Sequence, residues 1–438
     1  MIRVTWALIR VAIGCALVVS AYYWRTPLVS SVRYPVFAAI VMAATLLLAY
    51  DLRSFWRGGQ GALRFAAVLS AMLAGVALCW TVIGEGHFRW IRYAVLHADR
   101  NELAAVGRHI VVGYRNSSEV RSLIEKRAIG GVFVTRLNVN GRNAADIASE
   151  IGDWQRIRAQ QGLAPLWIST DQEGGGVSRM SPPLPRQPAL GSVVAATAEE
   201  NVQATVRAYA EQQAQGLRTL GVNMNFAPVV DINHGVINVD DKYSQIYRRA
   251  ISPDPAIVAG VATIYCATLR QAGVACVPKH FPGLGRVTDD THVADAVLDT
   301  PANVMASSDW VPFRAVIASN AAFLMLGHVR LGAIDRDRPA SFSPAIVGLL
   351  RSSWRYEGAL ITDDATMSAF YDSPSGLVGG TVEALNAGVD LVLIAYDPDQ
   401  YYVAVWGLLQ ARRAGALSAA ALEASAARLE MIAQRSRQ

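Results

Sequence analysis

The chain has 438 residues, of which 52% are apolar and only 17% charged, and its mean hydropathy is +0.25. Soluble globular proteins carry about 25% charged residues, so this composition predicts a membrane-embedded part and excludes a disordered or fibrous protein. The net charge of +5 comes from residues 1–100, which hold ten Arg against Asp51, Glu85 and Asp99. Because the rest of the chain is close to neutral, we expect no nucleic-acid partner.

Three apolar stretches occupy this first part, at about residues 4–24, 34–50 and 65–84. A membrane-spanning helix needs about 20 apolar residues, with a range of about 17–25, and aromatic residues lie near the ends of these stretches as they do at membrane interfaces. We therefore predict a membrane-anchoring region at residues 1–100 with three transmembrane helices in a bacterial inner membrane. Arg10 interrupts the first stretch and no small-residue cleavage site follows it, which argues against a signal peptide.

The side of the membrane is predicted from the positions of basic residues. Arg53, Arg57 and Arg64 lie between the second and third stretches, which favours a cytoplasmic loop there and sends the rest of the chain to the periplasmic side. Three further Arg follow the third stretch and count against this orientation.

The four cysteines show no CxxC or metal-ligand spacing. Cys15 and Cys79 lie in apolar stretches, whereas Cys266 and Cys276 fall in an amphipathic helix and at the following strand. We interpret all four as small buried apolar residues.

From about residue 105, short β-branched runs alternate with amphipathic helical segments. The candidate strands are 109–112, 131–135, 166–170, 222–227, 274–278, 322–326, 359–362 and 389–395. Regular alternation predicts a parallel sheet covered on both faces. Eight such units fit a closed (β/α)₈ barrel of the TIM type better than an open sheet. We therefore expect an α/β catalytic domain at residues 101–438.

Polar clusters follow four of these strands. The third is followed by DQEGGGVSR (171–179), the fifth by KHFPGLGRVTDDTH (279–292), the sixth by His328, and the seventh by Asp363 and Asp364. In a (β/α)₈ barrel the site is built by the loops at the carboxyl ends of the strands. We therefore expect these clusters to meet at one mouth.

The residue types at this mouth predict proton transfer and nucleophilic chemistry. Side chains alternate along a strand, so only one of Asp363 and Asp364 can face the mouth. We expect Asp363 there, as a nucleophile on an anomeric carbon or a metal ligand, and Asp364 as a helix N-cap. Asp290 can hydrogen-bond His292 and fix its tautomer, which suits a proton shuttle.

Cofactor binding is not indicated by the same clusters. The histidines lack HxH and HExxH spacing, and the glycines at 174–176 predict a turn because no phosphate-binding motif accompanies them. We therefore expect neither a metal nor an organic cofactor. Lys279 is one of only three Lys beside 37 Arg, which favours a need for a compact ammonium at that strand end.

Together these motifs resemble the glycoside hydrolase family 3 β-N-acetylglucosaminidases, over about residues 166–395. The matching patterns are DQEGG…R, KHFPG-x-G…D-x-H and TDD. The resemblance implies a single (β/α)₈ barrel that removes terminal N-acetylglucosamine (GlcNAc), often from peptidoglycan fragments, with retention of configuration. It implies a GlcNAc-containing glycan or muropeptide as substrate, and we expect a monomer beside a lipid bilayer.

Carried over position by position, the resemblance implies roles for individual residues. Asp363 matches the nucleophile that forms a glycosyl-enzyme intermediate, and His292 matches the general acid/base, with Asp290 as its partner. The positions matched to sugar binding are Asp171, Arg179, Arg249, Lys279 and His280.

The sequence departs from the family pattern in several places. Gly176 stands where the family has Arg, Leu284 where it has His, and the segment 233–247 is longer and more polar than in the family. Two other activities remain as alternatives. One is a GlcNAc-glycoside phosphorylase, because a neutral base does not repel phosphate, and the other is a β-glucosidase. A catalytically silent, membrane-anchored glycan sensor is the alternative of another class.

Overall fold

The computed structural model of the protein describes residues 2–56 and 61–435. The chain divides into two compact units, Met1–Val95 and Leu96–Gln438. Arg57, on which the predicted orientation partly depends, lies outside the described residues.

The first unit consists of three long helices, α1 Ile2–Tyr23, α2 Arg33–Trp56 and α3 Ala62–Leu96, the last of which ends at the unit boundary. All three are long and apolar enough to cross a membrane, and they extend past the predicted stretches because polar flanking residues continue each helix. Arg10, which interrupts the first stretch, forms a buried ion pair with Asp51 of α2. A charge within an apolar helix is tolerated where it is paired in this way.

The second unit contains an eight-stranded parallel sheet. Its strands are β1 Ile110–Gly113, β2 Gly131–Phe133, β3 Trp167–Thr170, β4 Met224–Asn225, β5 Ala275–Cys276, β6 Phe323–Leu326, β7 Ala359–Asp364 and β8 Leu391–Ile394. Neighbouring strands follow the order β5-β4-β3-β2-β1-β8-β7-β6. Each predicted strand overlaps an observed one.

The chain just after β5 closes most of the remaining gap between β5 and β6. The amide of Phe281 donates to the carbonyl of Met325 (2.9 Å), and the amide of Met325 donates to the carbonyl of Pro278 (3.0 Å). The sheet is therefore a nearly closed barrel, in agreement with the predicted α/β fold.

Helices alternate with the strands and cover the outside of the sheet. They are α4 Arg100–Gly107, α5 Ser117–Glu125, α6 Arg136–Val139, α7 Ala144–Gln160, α8 Leu190–Ala195, α9 Val202–Thr219, α10 Ile246–Arg249, α11 Pro255–Gln271, α12 Ala302–Ser307, α13 Val311–Ala318, α14 Pro344–Gly348, α15 Ser368–Tyr371, α16 Gly376–Ala387, α17 Gln400–Arg413 and α18 Ala419–Arg435. At least one helix joins each strand to the next, as a parallel sheet requires.

The barrel interior is filled with apolar side chains. Phe133 and Phe226 stack with ring centroids 5.4 Å apart, and Trp167 meets Phe323 edge to face at 4.9 Å. Leu429 of the C-terminal helix belongs to the same cluster. Because the interior is packed solid, a ligand has room only among the loops at the ends of the strands.

The prediction for the four cysteines is only partly confirmed, because Cys266 and Cys276 are buried as expected but are bonded to each other, and the other two are exposed. Cys266 on α11 and Cys276 on β5 form a disulfide, with their Cα atoms 5.2 Å apart, a separation typical of such bonds. The chain reverses direction between α11 and β5, and this reversal brings the two thiols together. Cys15 and Cys79 are exposed on α1 and α3 rather than buried.

Candidate active site

A tight hairpin at the end of β3 carries two acidic side chains of the site. Residues Gln172–Gly174 pair with Val177–Ser178, and Gly174 takes a φ of +94° in the turn. A Cβ at Gly174 would lie 2.1 Å from the hydroxyl of Tyr209, so no other residue fits there. The glycines thus form the predicted turn, which allows the chain to direct Asp171 and Glu173 toward Lys279.

A buried cluster of two cations and two carboxylates forms one wall of the site. The Nζ of Lys279 lies 2.6 Å from an oxygen of Asp171 and 2.7 Å from an oxygen of Glu173. Arg249 donates two hydrogen bonds to Glu173, at 2.7 and 2.9 Å. Burial alone would raise the pKa of Glu173, but Arg249 and then Lys279 attract the carboxylate and hold that pKa far below its usual value. Glu173, Arg249 and Lys279 therefore stay charged.

His280 is oriented by a buried aspartate that the sequence analysis did not identify. Its Nδ1 lies 2.7 Å from Asp231, which also accepts the amides of His280 (3.2 Å) and Leu284 (2.7 Å). A carboxylate at Nδ1 favours the tautomer with the proton there. The Nε2 of His280 then lies 4.0 Å from an oxygen of Asp363.

Asp363, at the end of β7, is surrounded by cationic and imidazole groups. Burial would raise the pKa of its carboxyl, but His280, His328, His292 and Lys279 together lower that pKa to about 2. The carboxylate is 18% exposed. A substrate can therefore reach an oxygen that is ionised at any ordinary pH.

Asp364 faces away from Asp363, as strand alternation predicts. Its carboxylate accepts the amides of Ala395 (3.0 Å) and Tyr396 (2.8 Å) at the end of β8, and that of Thr366 (3.0 Å). The predicted N-cap role is wrong, because α15 begins only at residue 368. Asp364 instead ties two strand ends together.

His328, predicted at the mouth, is fully buried beneath it. Its Nδ1 lies 2.8 Å from the hydroxyl of Ser341, and its Nε2 lies 2.9 Å from the carbonyl of Asp364. Burial lowers the pKa of His328. Since both ring nitrogens are occupied, His328 supports the floor of the site and has no free nitrogen for a substrate.

Asp290 and His292 form a hydrogen-bonded pair on the loop after β5. The Nδ1 of His292 lies 2.8 Å from an oxygen of Asp290, which also accepts the amide of His292 (3.0 Å). Burial would raise the pKa of Asp290, but the hydrogen bond from His292 lowers it well below its usual value. The carbonyl of His292 accepts the amide of Ser368 (3.0 Å), so the loop is tied to α15, which follows Asp363.

The two arginines matched to sugar binding differ in their surroundings. Arg249 donates to Glu173 and to the carbonyl of Ser244, so it maintains the buried cluster. Arg179 is exposed, and its guanidinium forms no hydrogen bond within the described ranges 2–56 and 61–435. Its amide binds the carbonyl of Asp171 (3.0 Å), which places it beside the mouth with donors available.

Three residues of the site were missed by the sequence analysis, although two had usable signals. Glu173 stands inside the quoted DQEGG motif, two positions after Asp171. Asp231 directly follows an apolar run after β4, which is the same signal that identified Asp363. Ser244, whose hydroxyl donates to Asp290 (3.0 Å), lies in an irregular segment whose sequence pattern shows no periodicity.

The site combines an accessible ionised carboxylate with an imidazole that is hydrogen-bonded to a second carboxylate. Asp363 offers an ionised oxygen, and the Nε2 of His292 makes no hydrogen bond to any residue in the described part of the chain. Cleavage of an acetal requires a carboxylate below the sugar ring and a proton donor beside the leaving oxygen. Among the described residues, no group of three His, Cys, Asp or Glu is placed to hold a metal ion.

The second unit of this chain is similar to known proteins over most of its length. Residues 98–432 match the family model described as the glycosyl hydrolase family 3 N-terminal domain. Beta-hexosaminidase LpqI of Mycobacterium tuberculosis is 31% identical over 339 residues, which cover 76% of this chain and 82% of that protein. The beta-hexosaminidase of Xanthomonas oryzae pv. oryzae is 34% identical over 289 residues, which cover 65% of this chain and 82% of that protein.

A solved structure is also similar. The glycoside hydrolase family 3 β-N-acetylglucosaminidase from Paenibacillus sp. superposes with a TM-score of 0.68 at 30% identity. The match covers 76% of this chain and 62% of the Paenibacillus chain.

Proposed function

The chain belongs to glycosyl hydrolase family 3, and on that premise we propose that it is a membrane-anchored, retaining exo-β-N-acetylglucosaminidase. Its substrate would be the terminal GlcNAc of peptidoglycan-type fragments, cleaved through a covalent glycosyl-Asp363 intermediate. The observation that carries the proposal is the accessible carboxylate of Asp363 at the end of β7, 4.0 Å from the Nε2 of His280, in a site that also holds the hydrogen-bonded Asp290–His292 pair. Two of the similar proteins are named beta-hexosaminidases.

In the first step, an oxygen of Asp363 attacks the anomeric carbon while the bond from that carbon to the leaving oxygen breaks. His292, protonated at both nitrogens, gives its Nε2 proton to the leaving oxygen, so the aglycone departs as an alcohol. Asp290, hydrogen-bonded to Nδ1 (2.8 Å), stabilises the imidazolium before the transfer. The step ends with a glycosyl ester on Asp363 and a neutral imidazole.

In the second step, water replaces Asp363. The neutral Nε2 of His292 takes a proton from the water as its oxygen bonds to the anomeric carbon, and the ester bond to Asp363 breaks. Two inversions at the same carbon give net retention. The ionised carboxylate and the protonated imidazole are restored.

The strand ends supply groups that can hold one sugar. Asp171 remains 19% exposed beside Lys279, so its carboxylate can accept hydrogen bonds from sugar hydroxyls. Lys279 and His280 lie between Asp171 and Asp363, and Arg179 has free donors at the rim. Charge-assisted hydrogen bonds of this kind are about twice as strong as neutral ones.

We propose that α1, α2 and α3 span the bilayer and that the barrel lies on its outer, periplasmic side. The Cys266–Cys276 disulfide supports this side, because disulfides persist in oxidising compartments and are rare in the cytosol. An external position also supports cell-wall fragments as the substrate. A C-terminal fusion to alkaline phosphatase should be active, and the matching fusion to green fluorescent protein dark; the reverse pattern would place the barrel in the cytoplasm.

The activity is tested with the full chain in detergent and 4-methylumbelliferyl N-acetyl-β-glucosaminide. We expect Asp363→Ala to lower kcat/KM by about 10⁴-fold or more, since loss of a nucleophile commonly costs this much. Asp337→Ala, which removes an exposed carboxylate on the loop before α14, should be unchanged. Equal activity of Asp363→Ala and wild type would refute the assignment.

The alternatives are separated by the product. Free GlcNAc in phosphate buffer supports hydrolysis, whereas GlcNAc 1-phosphate would identify a phosphorylase. Faster turnover of the matching glucoside would identify a β-glucosidase. Binding of muropeptides without any product would identify a glycan sensor.

A further inference from the structure

The segment 233–247, where the family pattern is shorter, lies against the loop that carries His292. The side-chain amide of Asn238 donates to the carbonyl of Thr288 (2.7 Å). The amide of Tyr243 donates to Asp290 (3.0 Å), and its ring centroid lies 5.6 Å from that of His292. The extra residues are therefore packed on the proton-carrying pair.

Ser244 makes the most direct contact in this segment. Its hydroxyl donates to Asp290 (3.0 Å), and its oxygen lies 3.3 Å from the Nδ1 of His292. The Oδ1 atom of Asp290 thereby accepts both the hydroxyl of Ser244 and the Nδ1 hydrogen of His292. Serine, aspartate and imidazole form a closed triangle of short contacts.

The backbone of Ser244 is itself fixed on two sides. Its amide donates to Asp241 (2.8 Å), and its carbonyl accepts a hydrogen bond from Arg249 (2.8 Å). Arg249 is anchored in turn by two hydrogen bonds to Glu173. Ser244 is only 6% exposed, so it connects the rigid ion-pair cluster with the loop.

His292 needs such support because of where it lies. Its side chain is 38% exposed, and a single hydrogen bond leaves an imidazole free to swing about that contact. Proton transfer requires Nε2 within about 2.6–3.2 Å of the leaving oxygen. A second polar contact at Nδ1 restricts the swing and keeps the proton on Nδ1.

We propose that Ser244 is a positioning residue that fixes the Asp290–His292 pair for proton transfer to the leaving group. The proposal rests on the proposed glycosidase function and adds to it a role for the segment 233–247. In metal sites, groups that orient an imidazole through its second nitrogen account for about 10–100-fold in affinity or activity, and we expect a similar factor for Ser244.

The test compares two substrates whose leaving groups differ in whether they need a proton. An aryl group that leaves as a stable anion needs no proton from His292, whereas an alkyl group does. We therefore compare kcat/KM, which reports the first irreversible step, for 2,4-dinitrophenyl and for methyl N-acetyl-β-glucosaminide with full-length wild type and Ser244→Ala. Val239→Ala is the matched control, because this side chain lies in the same segment and is 88% exposed.

We expect Ser244→Ala to lose about tenfold or more on the methyl glycoside and less than twofold on the dinitrophenyl glycoside. Retained turnover of the dinitrophenyl glycoside would also show that the variant folds. Equal losses on both substrates, or none on the methyl glycoside, would overturn the role of Ser244. Wild type that turns over neither substrate would instead refute the proposed function.

Discussion

Around Asp363, side chains carried by strand ends and side chains carried by a loop are held in different ways. Lys279, close to the barrel wall, is 3% exposed and makes two ion pairs with carboxylates of the β3 hairpin. His292, on the loop, is 38% exposed and depends on hydrogen bonds from its neighbours. The strand-end groups are therefore held by burial and ion pairs, whereas the loop group is held by hydrogen bonds near solvent.

This contrast follows from what each part does in the proposed reaction. The strand-end groups bind the sugar and keep Asp363 ionised, which requires fixed charges in a buried place. The loop must let the aglycone enter and leave while it places a proton within hydrogen-bonding distance of the leaving oxygen. Substitutions of the strand-end groups should therefore lower the unfolding free energy strongly, whereas substitutions in the loop should mainly lower turnover.

The largest effect is expected on the strand side, from Lys279→Met. This change leaves the buried carboxylate of Glu173 and the partly exposed carboxylate of Asp171 without Lys279, and breaking a buried ion pair costs about 3–5 kcal/mol of unfolding free energy. We expect a urea midpoint well below that of wild type, together with loss of activity. The control is Lys126→Met, at a partly exposed lysine at the C-terminal end of α5. A wild-type urea midpoint for Lys279→Met would contradict the view that the strand-end groups stabilise the fold.

On the loop side, His292→Ala should show the opposite pattern. Without the ring, Asp290 keeps its hydrogen bonds from the amides of residues 243 and 292 and from Ser244, so we expect the unfolding free energy to fall by only about 1–2 kcal/mol. The kcat/KM for the methyl glycoside should fall by about 10²–10⁴-fold, which is the usual contribution of general acid catalysis. Val293→Ala is the control, at the adjacent exposed position. A large drop in stability for His292→Ala would remove the distinction between the two sides.

The same contrast explains what could be predicted from the sequence. The strands and the motifs at their ends were identified because β-branched runs and the carboxyl-end rule both have a local signature. Strand alternation predicted that only one of Asp363 and Asp364 faces the mouth, whereas the choice of Asp363 also used an N-cap role for Asp364 that the structure contradicts.

Contacts between distant segments have no such signature. Asp231 orients His280 across 49 positions of sequence, and Ser244 reaches Asp290 from a segment without periodicity. The Cys266–Cys276 bond depends on how α11 turns back into β5. Each of these required the folded chain, because tertiary proximity and not local pattern creates the interaction.

The smallest expected effect is the loss of unfolding free energy at low pH that follows from protonation of Asp363, a residue of the strand side. Its pKa of about 2 in the folded chain lies below the ordinary value of 3.8. A lowered carboxyl pKa contributes stability that is fully present above pH 4 and is lost as the pH falls toward 2. The shift corresponds to about 2 kcal/mol of unfolding free energy.

The measurement is the difference in unfolding free energy between wild type and Asp363→Asn, followed from pH 5 to pH 2. Other carboxylates with lowered pKa values, such as Glu173 and Asp290, are present in both proteins, so their acid destabilisation cancels in the difference. We expect the advantage of wild type over Asp363→Asn to shrink by about 2 kcal/mol across this range. A constant difference would show that the surrounding imidazoles do not stabilise the carboxylate. It would contradict the grouping of Asp363 with the fixed charges at the strand ends.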